Sequence, residues 1–175
     1  MEFSQQQHYS PQTPAQASVS RVMLNVMLAL IPGIVVYIHF FGWGVLVNIV
    51  LASVFALLAE GLILAIRRRP VVTTLLDGSA LLTGILLALA LPSHTAWWVI
   101  AVGIIFAIII AKQLYGGLGL NPFNPAMTGY VVLLISFPLE MTRWNPPLEL
   151  AEQSMNLLEA LRYSYTGSLP QRKDV

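Results

Sequence analysis

The sequence predicts an all-α polytopic membrane protein with about five transmembrane segments, including short broken helices. Three observations carry that expectation. Of the 175 residues, 57% are hydrophobic and only 10% are charged, an imbalance foreign to soluble domains. No charged side chain occurs from Val22 to Ala59, from Gly78 to Ala111, or from Gln113 to Leu139. Each window exceeds the ~20 apolar residues of a spanning helix. Two stretches, 71–78 and 116–125, divide the later apolar runs into pieces too short to cross alone.

The first 20 residues, MEFSQQQHYSPQTPAQASVS, are polar and contain proline. They lack the basic start and apolar stretch of a cleavable signal, and are expected to form a disordered cytoplasmic tail. A membrane domain is expected over 21–140. Its first two spans, about 22–40 and 45–66, are separated by Phe40-Phe41-Gly42-Trp43-Gly44, a sequence suited to a turn among headgroups. Arg21 precedes the pair and Arg67-Arg68-Arg69 follows it. Positive charge at both ends predicts a hairpin with both ends cytoplasmic.

Three shorter spans follow, at about 79–91, 96–111 and 126–138. Thirteen helical residues rise roughly 20 Å, less than the roughly 30 Å hydrocarbon core. Irregular backbone must complete those crossings, and it is tolerated at depth only where protein or a water-filled cavity surrounds it. Residues 71–78 and 116–125 are therefore expected to line something. Five crossings place Lys112 in the cytoplasm and the polar segment 141–175 outside. Within that segment, apolar spacing at Leu150, Met155, Leu158 and Leu161 predicts a short interfacial helix over Pro147–Tyr163.

Composition also excludes functions. There is no cysteine, hence no disulfide or cysteine-held iron–sulfur cluster within the chain. The tight basic cluster abuts a span and is no nucleic-acid footprint. Serine, histidine and acidic residues are too scattered for a nucleophilic triad, and no metal site is expected. Glu149 and Glu152 lack a histidine or cysteine partner, and His39 and His94 read as interfacial.

The sharpest local signal is GGLGLNPFNPAMTGY, residues 116–130. In Asn124-Pro125-Ala126, asparagine is a favoured N-cap and proline a favoured first helical residue. The helix that follows is expected to present free N–H groups and a positive dipole end near the bilayer. Gly116, Gly117 and Gly119 are expected to let another group approach closely. Asp77-Gly78-Ser79 reads as a similar device before the 79–91 span. Two such half-helices predict a site for an anionic or amide-rich group, although Asn-Pro and Gly-Gly are also ordinary loop punctuation. Glu60, acidic within a span, is a functional candidate. Its shallow position makes pairing with an arginine, or reaching to water, an equal expectation.

DGSALLTGILLALALPS (77–93) and YGGLGLNPFNPAMTGYVVLLISFPLEMT (115–142) resemble the D subunits of Rnf ion-translocating electron-transport complexes. They resemble more loosely the B subunits of sodium-pumping NADH:quinone reductases. The likeness covers Arg21–Thr142. Family members are about twice this length, so the chain looks like an N-terminal half, one of two inverted repeats of a urea-channel-like fold.

The resemblance implies a bacterial inner-membrane subunit, surrounded by lipid and by other membrane and peripheral subunits. Electron flow between ferredoxin and NAD would be coupled through flavin to movement of Na⁺ or H⁺. It implies FMN joined to a threonine in a Ser-Gly-Ala-Thr type motif, and leaves room for a second, non-covalent flavin. That motif does not occur here; the attachment threonine is expected beyond Val175. The candidates for lining a flavin or ion cavity are Gly116, Gly117, Asn121, Asn124, Asp77 and Thr83. No catalytic residue is expected in the isolated chain. The alternatives are a channel or transporter of urea-channel or aquaporin type, and a non-catalytic scaffold. A bound flavin would separate the first reading from both.

Overall fold

The computed structural model describes residues 18–147 and 155–167, and every regular element among them is helical. Residues 1–17 of the expected tail, and Leu150, Glu149 and Glu152, lie outside the described residues; Val19 and Ser20, expected in the tail, instead open the first helix behind the Ser18 cap. Among the described residues, eight helices follow in order: α1 (Val19–Phe41), α2 (Trp43–Ile66), α3 (Val71–Leu75), α4 (Ser79–Ala90), α5 (Trp97–Ile104), α6 (Pro125–Ser136), α7 (Pro138–Thr142) and α8 (Leu157–Thr166). Helix α5 continues without a break into a π-helical segment, Ile105–Leu114. Three helical stretches, α1, α2 and Trp97–Leu114, are long and apolar enough to cross a membrane, while α4 and α6 are shorter apolar helices.

Helix α1 begins where the Ser18 side chain accepts the Arg21 N–H, and it ends at Gly42, whose positive φ of 81° turns the chain into α2. No residue of α1 is buried. Its exposed Leu24, Ile31 and Val35 suit a lipid-facing surface, because acyl chains are as apolar as leucine.

The interior forms around α2, α4, α5 and α6, where small residues let backbones meet. Ala52 and Ala56 of α2 are fully buried, and a Cβ added at Gly84 of α4 would sit 2.8 Å from the Ala52 carbonyl oxygen. Gly129 of α6 approaches Gly103 of α5 likewise, at 2.6 Å from that carbonyl. Leu87, Ile100, Ile108 and Leu133 fill the space between.

The bundle has two chemically distinct ends. At one, Ser20 Oγ donates to the Leu76 carbonyl at 3.2 Å, Arg69 donates to the Gly116 carbonyl at 2.9 Å, and Arg67 donates to the Gln113 carbonyl. At the other, Asn48 of α2 donates to the Pro92 carbonyl at 2.7 Å, and Trp98 packs edge-on against Phe137. Helices α4 and α6 both start toward the arginine end and run to the opposite one.

Two local expectations change. Of 71–78, expected to be irregular, Val71–Leu75 is a turn of helix. Of the expected helix over Pro147–Tyr163, residues 148–154 lie outside the described residues; among the described ones the helix is α8, beginning at Leu157, where Asn156 and Glu159 form a reciprocal capping box. Ser164 donates to the Thr95 carbonyl at 3.4 Å, and Tyr165 stacks on Trp97. Helix α8 thus covers the loop between α4 and α5.

His94 in that loop lies edge-on to Tyr163, and its Nδ1 meets the Asn145 amide and Ser93 Oγ. Burial lowers its pKa from the ordinary histidine value, so the unfolded chain binds the proton more readily than the folded one. Stability from neutral His94 is present above the ordinary histidine range and is lost as pH falls through it. Proteolytic cutting at α8 should therefore rise as pH is lowered from about 8 to about 5.5. His94→Gln should flatten that dependence; an unchanged slope would show that another group controls the docking.

Candidate functional site

Both half-length helices begin beside a buried ion pair. Glu60 lies six residues before the end of α2, about 9 Å along its axis, and its side chain is fully buried. Lys112 Nζ is 2.6 Å from Glu60 Oε1 and donates to Ser79 Oγ at 2.6 Å. Ser79 Oγ donates onward to Asp77 Oδ1 at 2.5 Å, and Asp77 Oδ1 also accepts the Ser79 N–H at 2.7 Å. Gln113 Nε2 donates to the same Glu60 oxygen at 2.5 Å.

The local sequence explains the convergence. Lys112 and Gln113 are consecutive, and an α-helix would aim them well apart. The π-helical run has wider i→i+5 turns, and there both side chains reach Glu60 Oε1. Asp77 tethers the first turn of α4, one residue ahead of the left-handed Gly78 at its N-cap position. Thr83, one turn further on, donates to the Ser79 carbonyl at 2.8 Å.

A cavity of about 320 Å³ lies against this cluster. Ser79, Thr83, Lys112, Asn121 and Asn124 supply its polar wall, and Met23, Leu82, Leu86, Leu118 and Phe123 its apolar one. Both size and lining fall within the range of small-molecule sites. Three of the six residues expected at a site, Thr83, Asn121 and Asn124, line it together. Asp77 stands one hydrogen bond behind Ser79. Gly116 and Gly117 do not line it: they form the turn after Lys112, with φ of 114° and 107°.

The expected role of those glycines needs correction. A Cβ at Gly117 or Gly119 would meet nothing within 4 Å, whereas one at Gly116 would sit 2.8 Å from Leu120 Cδ1, so among the described residues the close approach is at Gly116 and not at the other two. Glycine serves there because left-handed φ strains any other residue. The expected free N–H groups at the start of α6 are also absent. Asn124 Oδ1 accepts from Ala126 at 3.0 Å and Met127 at 3.4 Å, and Pro125 has no N–H. What Asn124 leaves available is its own amide nitrogen.

Glu60 is corrected as well: it neither pairs with an arginine nor reaches water. Its partner is Lys112, which the sequence presents as a boundary charge but the structure buries beside Glu60. The available signal was complementarity, one acid and one base each lodged in an apolar run. An ammonium has three donors. Lys112 uses two, on Glu60 and Ser79, and the residue also lines the cavity.

The model of the NQR2, RnfD, RnfE family matches residues 6–173. The chain belongs to that family. Its relatives include the D subunits of ion-translocating oxidoreductase complexes from several bacteria. The one from Shigella dysenteriae serotype 1 (strain Sd197) is 57% identical over 158 residues, which are 90% of this chain and 45% of the relative. Its counterpart from Escherichia coli (strain SMS-3-5 / SECEC) is 55% identical over 166 residues, covering 95% of this chain and 47% of the relative. The chain spans about half the length of the curated relatives it matches. Within this family member, the start of α4 is hydrogen-bonded to the buried ion pair, and the start of α6 shares a cavity with it.

Truncating one partner of a buried pair strands the other charge, at about 3–5 kcal/mol. Glu60→Ala or Lys112→Ala alone should therefore lower thermal retention of the subunit strongly. The Glu60→Ala/Lys112→Ala double variant should lose clearly less than the sum of the two. Additive losses in that double-mutant cycle would show that the pair is not energetically coupled.

Proposed function

We propose that the chain works as part of the membrane subunit of an ion-translocating electron-transport complex. Electrons pass between ferredoxin and NAD through flavin, and that flow drives Na⁺ or H⁺ across a bacterial inner membrane. Family membership and the names of the relatives support the complex. The observation that carries the site is the 320 Å³ cavity, where Lys112 and Asn124 place donors at one side of an apolar chamber.

A flavin ring fits that chemistry. Its carbonyl oxygens need donors, which the Lys112 ammonium and the Asn124 amide supply, while Phe123, Leu82 and Leu86 suit its apolar faces. When bound, the flavin supplies one- and two-electron transfer. The chain's own residues orient it, exclude water and place a fixed positive charge near it. Such a flavin is non-covalent; the covalently attached FMN belongs to a Ser-Gly-Ala-Thr motif that this chain lacks. A pore for neutral solutes fits less well, because a charged pair stands at the cavity wall.

Asn124→Asp in the full-length subunit, within an assembled complex, tests the site. Aspartate caps a helix as well as asparagine does, but it removes the amide donor and adds negative charge. Assembly should persist, while acid-released flavin and electron transfer should each fall at least roughly tenfold, the scale of one buried carbonyl left without its donor. Full flavin content with parental turnover would sink the reading.

The proposed orientation places the N-terminus, Arg67–Arg69 and the Glu60–Lys112 cluster toward the cytoplasm. Reporter fusions after residues 70 and 147 should report opposite sides, with residue 70 cytoplasmic. The same side for both would overturn the odd number of crossings.

A further inference from the structure

Helix α2 ends in a turn that calls for glycine and receives arginine. The Arg68 N–H donates to the Ala65 carbonyl at 3.1 Å, and the Arg69 N–H to the Leu64 carbonyl at 2.9 Å. Those paired bonds close a helix when the residue after the cap turns left-handed. Arg68 is that residue, with φ of 53°, and no other non-glycine among the described residues has a positive φ. Glycine takes this conformation freely, whereas a side chain strains it. The neighbouring arginines are engaged by the fold: Arg67 donates to the Gln113 carbonyl and Arg69 to the Gly116 carbonyl. Arg68 is exposed, and its guanidinium has no hydrogen bond or ion pair among the described residues. A strained side chain that bonds nothing within the fold points to a ligand outside it.

We propose that Arg68 binds the headgroup phosphate of an anionic phospholipid. Its level in the membrane fits. The 24 residues of α2 rise about 36 Å against a hydrocarbon core of about 30 Å, so a residue just past the helix end stands among lipid phosphates. The surface leading to it suits acyl chains: Leu58, Leu62 and Ile66 are exposed at four-residue spacing, one ridge of α2. Val72 and Leu76, just beyond the arginines in the chain, are exposed as well. No acid opposes the charge nearby in sequence, because Glu60 is held by Lys112 and Gln113, and Asp77 by Ser79. A guanidinium presents donors in a fork that matches phosphate oxygens, and basic residues at the ends of spans are drawn to anionic leaflets. An acidic protein or a free phosphate ion would meet the same charge but leave the apolar ridge unused.

Photocrosslinking to lipid, in the full-length subunit within the assembled complex, tests the site. Benzoylphenylalanine replaces Ile66 beside Arg68 or, as the reference, the exposed Val35 toward the far end of α1. The complex is placed in vesicles of phosphatidylcholine and phosphatidylglycerol, with one or the other lipid tritiated. Position 66 should capture phosphatidylglycerol about fivefold above its share of the vesicle, the scale of one basic residue at an anionic surface. Position 35 should capture it in proportion. Arg68→Gly should bring position 66 down to the reference ratio. The same variant relieves the backbone, so its thermal retention in detergent without phosphatidylglycerol should equal or exceed the parent's. Equal ratios at the two positions in the parent overturn the proposal, as does enrichment that survives Arg68→Gly. A destabilised Arg68→Gly subunit overturns it too, by showing that the guanidinium serves the fold. Enrichment abolished by excess inorganic phosphate at matched ionic strength would assign the site to the free ion and overturn the lipid.

Discussion

The structure depends on the cost of placing Glu60 and Lys112 where neither can reach water. Side chains that are 0% and 1% exposed would each carry a desolvation penalty of several kcal/mol, and only close pairing with further hydrogen bonds offsets it. The partners that supply those bonds decide the local architecture. Ser79 opens α4, Gln113 stands one residue before the end of the π-helical run, and Asp77 holds the turn between α3 and α4. Loosening any of them would expose the ion pair to an apolar surround. The cluster therefore fixes three chain segments against one another at a level where two helices are only 12 residues long.

The short helices follow from the same constraint. A half-helix in a bilayer leaves backbone donors and acceptors that lipid cannot satisfy. At α6 the solution is local: Asn124 turns back on Ala126 and Met127, and Pro125 removes a donor that would otherwise be stranded. At α4 it is Asp77 that accepts the Ser79 N–H, and the same carboxylate accepts the Ser79 hydroxyl that bonds Lys112. One half-helix is thus closed on itself and the other is wired into the ion pair. Both Asn124 and Lys112 also line the cavity between them.

Much of this was legible in the sequence where physics acts over short distances. Uncharged windows located the apolar helices, and chain length against bilayer thickness marked α4 and α6 as incomplete. Asn-Pro-Ala announced its cap, and Thr83, Asn121 and Asn124 emerged as neighbours of one cavity. What was not legible depended on long-range packing. Glu60 and Lys112 are 52 positions apart, and nothing local says that an acid near one helix end meets a lysine near another. The glycines of 116–119 were legible as special, but at Gly117 and Gly119 for the wrong reason, since open space with positive φ looks identical to close approach in sequence. The start of α8 was displaced because apolar spacing continues through Met155, whereas the Asn156–Glu159 box sets the boundary.

The π-helical run of α5 connects the backbone to the chemistry of the cluster. Widening the helix costs hydrogen-bond quality, and such segments occur often at functional sites. Here the widened run brings Lys112 and Gln113 onto one carboxylate oxygen, while the Glu60 Oε2 and Gln113 Oε1 atoms remain without donors. A purely structural ion pair would be better served by an ordinary helix with one lysine and a fully bonded carboxylate. The arrangement seen instead combines a wider helix with unsatisfied buried oxygen and a cation that faces both an acid and a cavity. Those features raise the cost of the resting state and lower the cost of moving Lys112. That is the energetic profile expected of an element that changes partners.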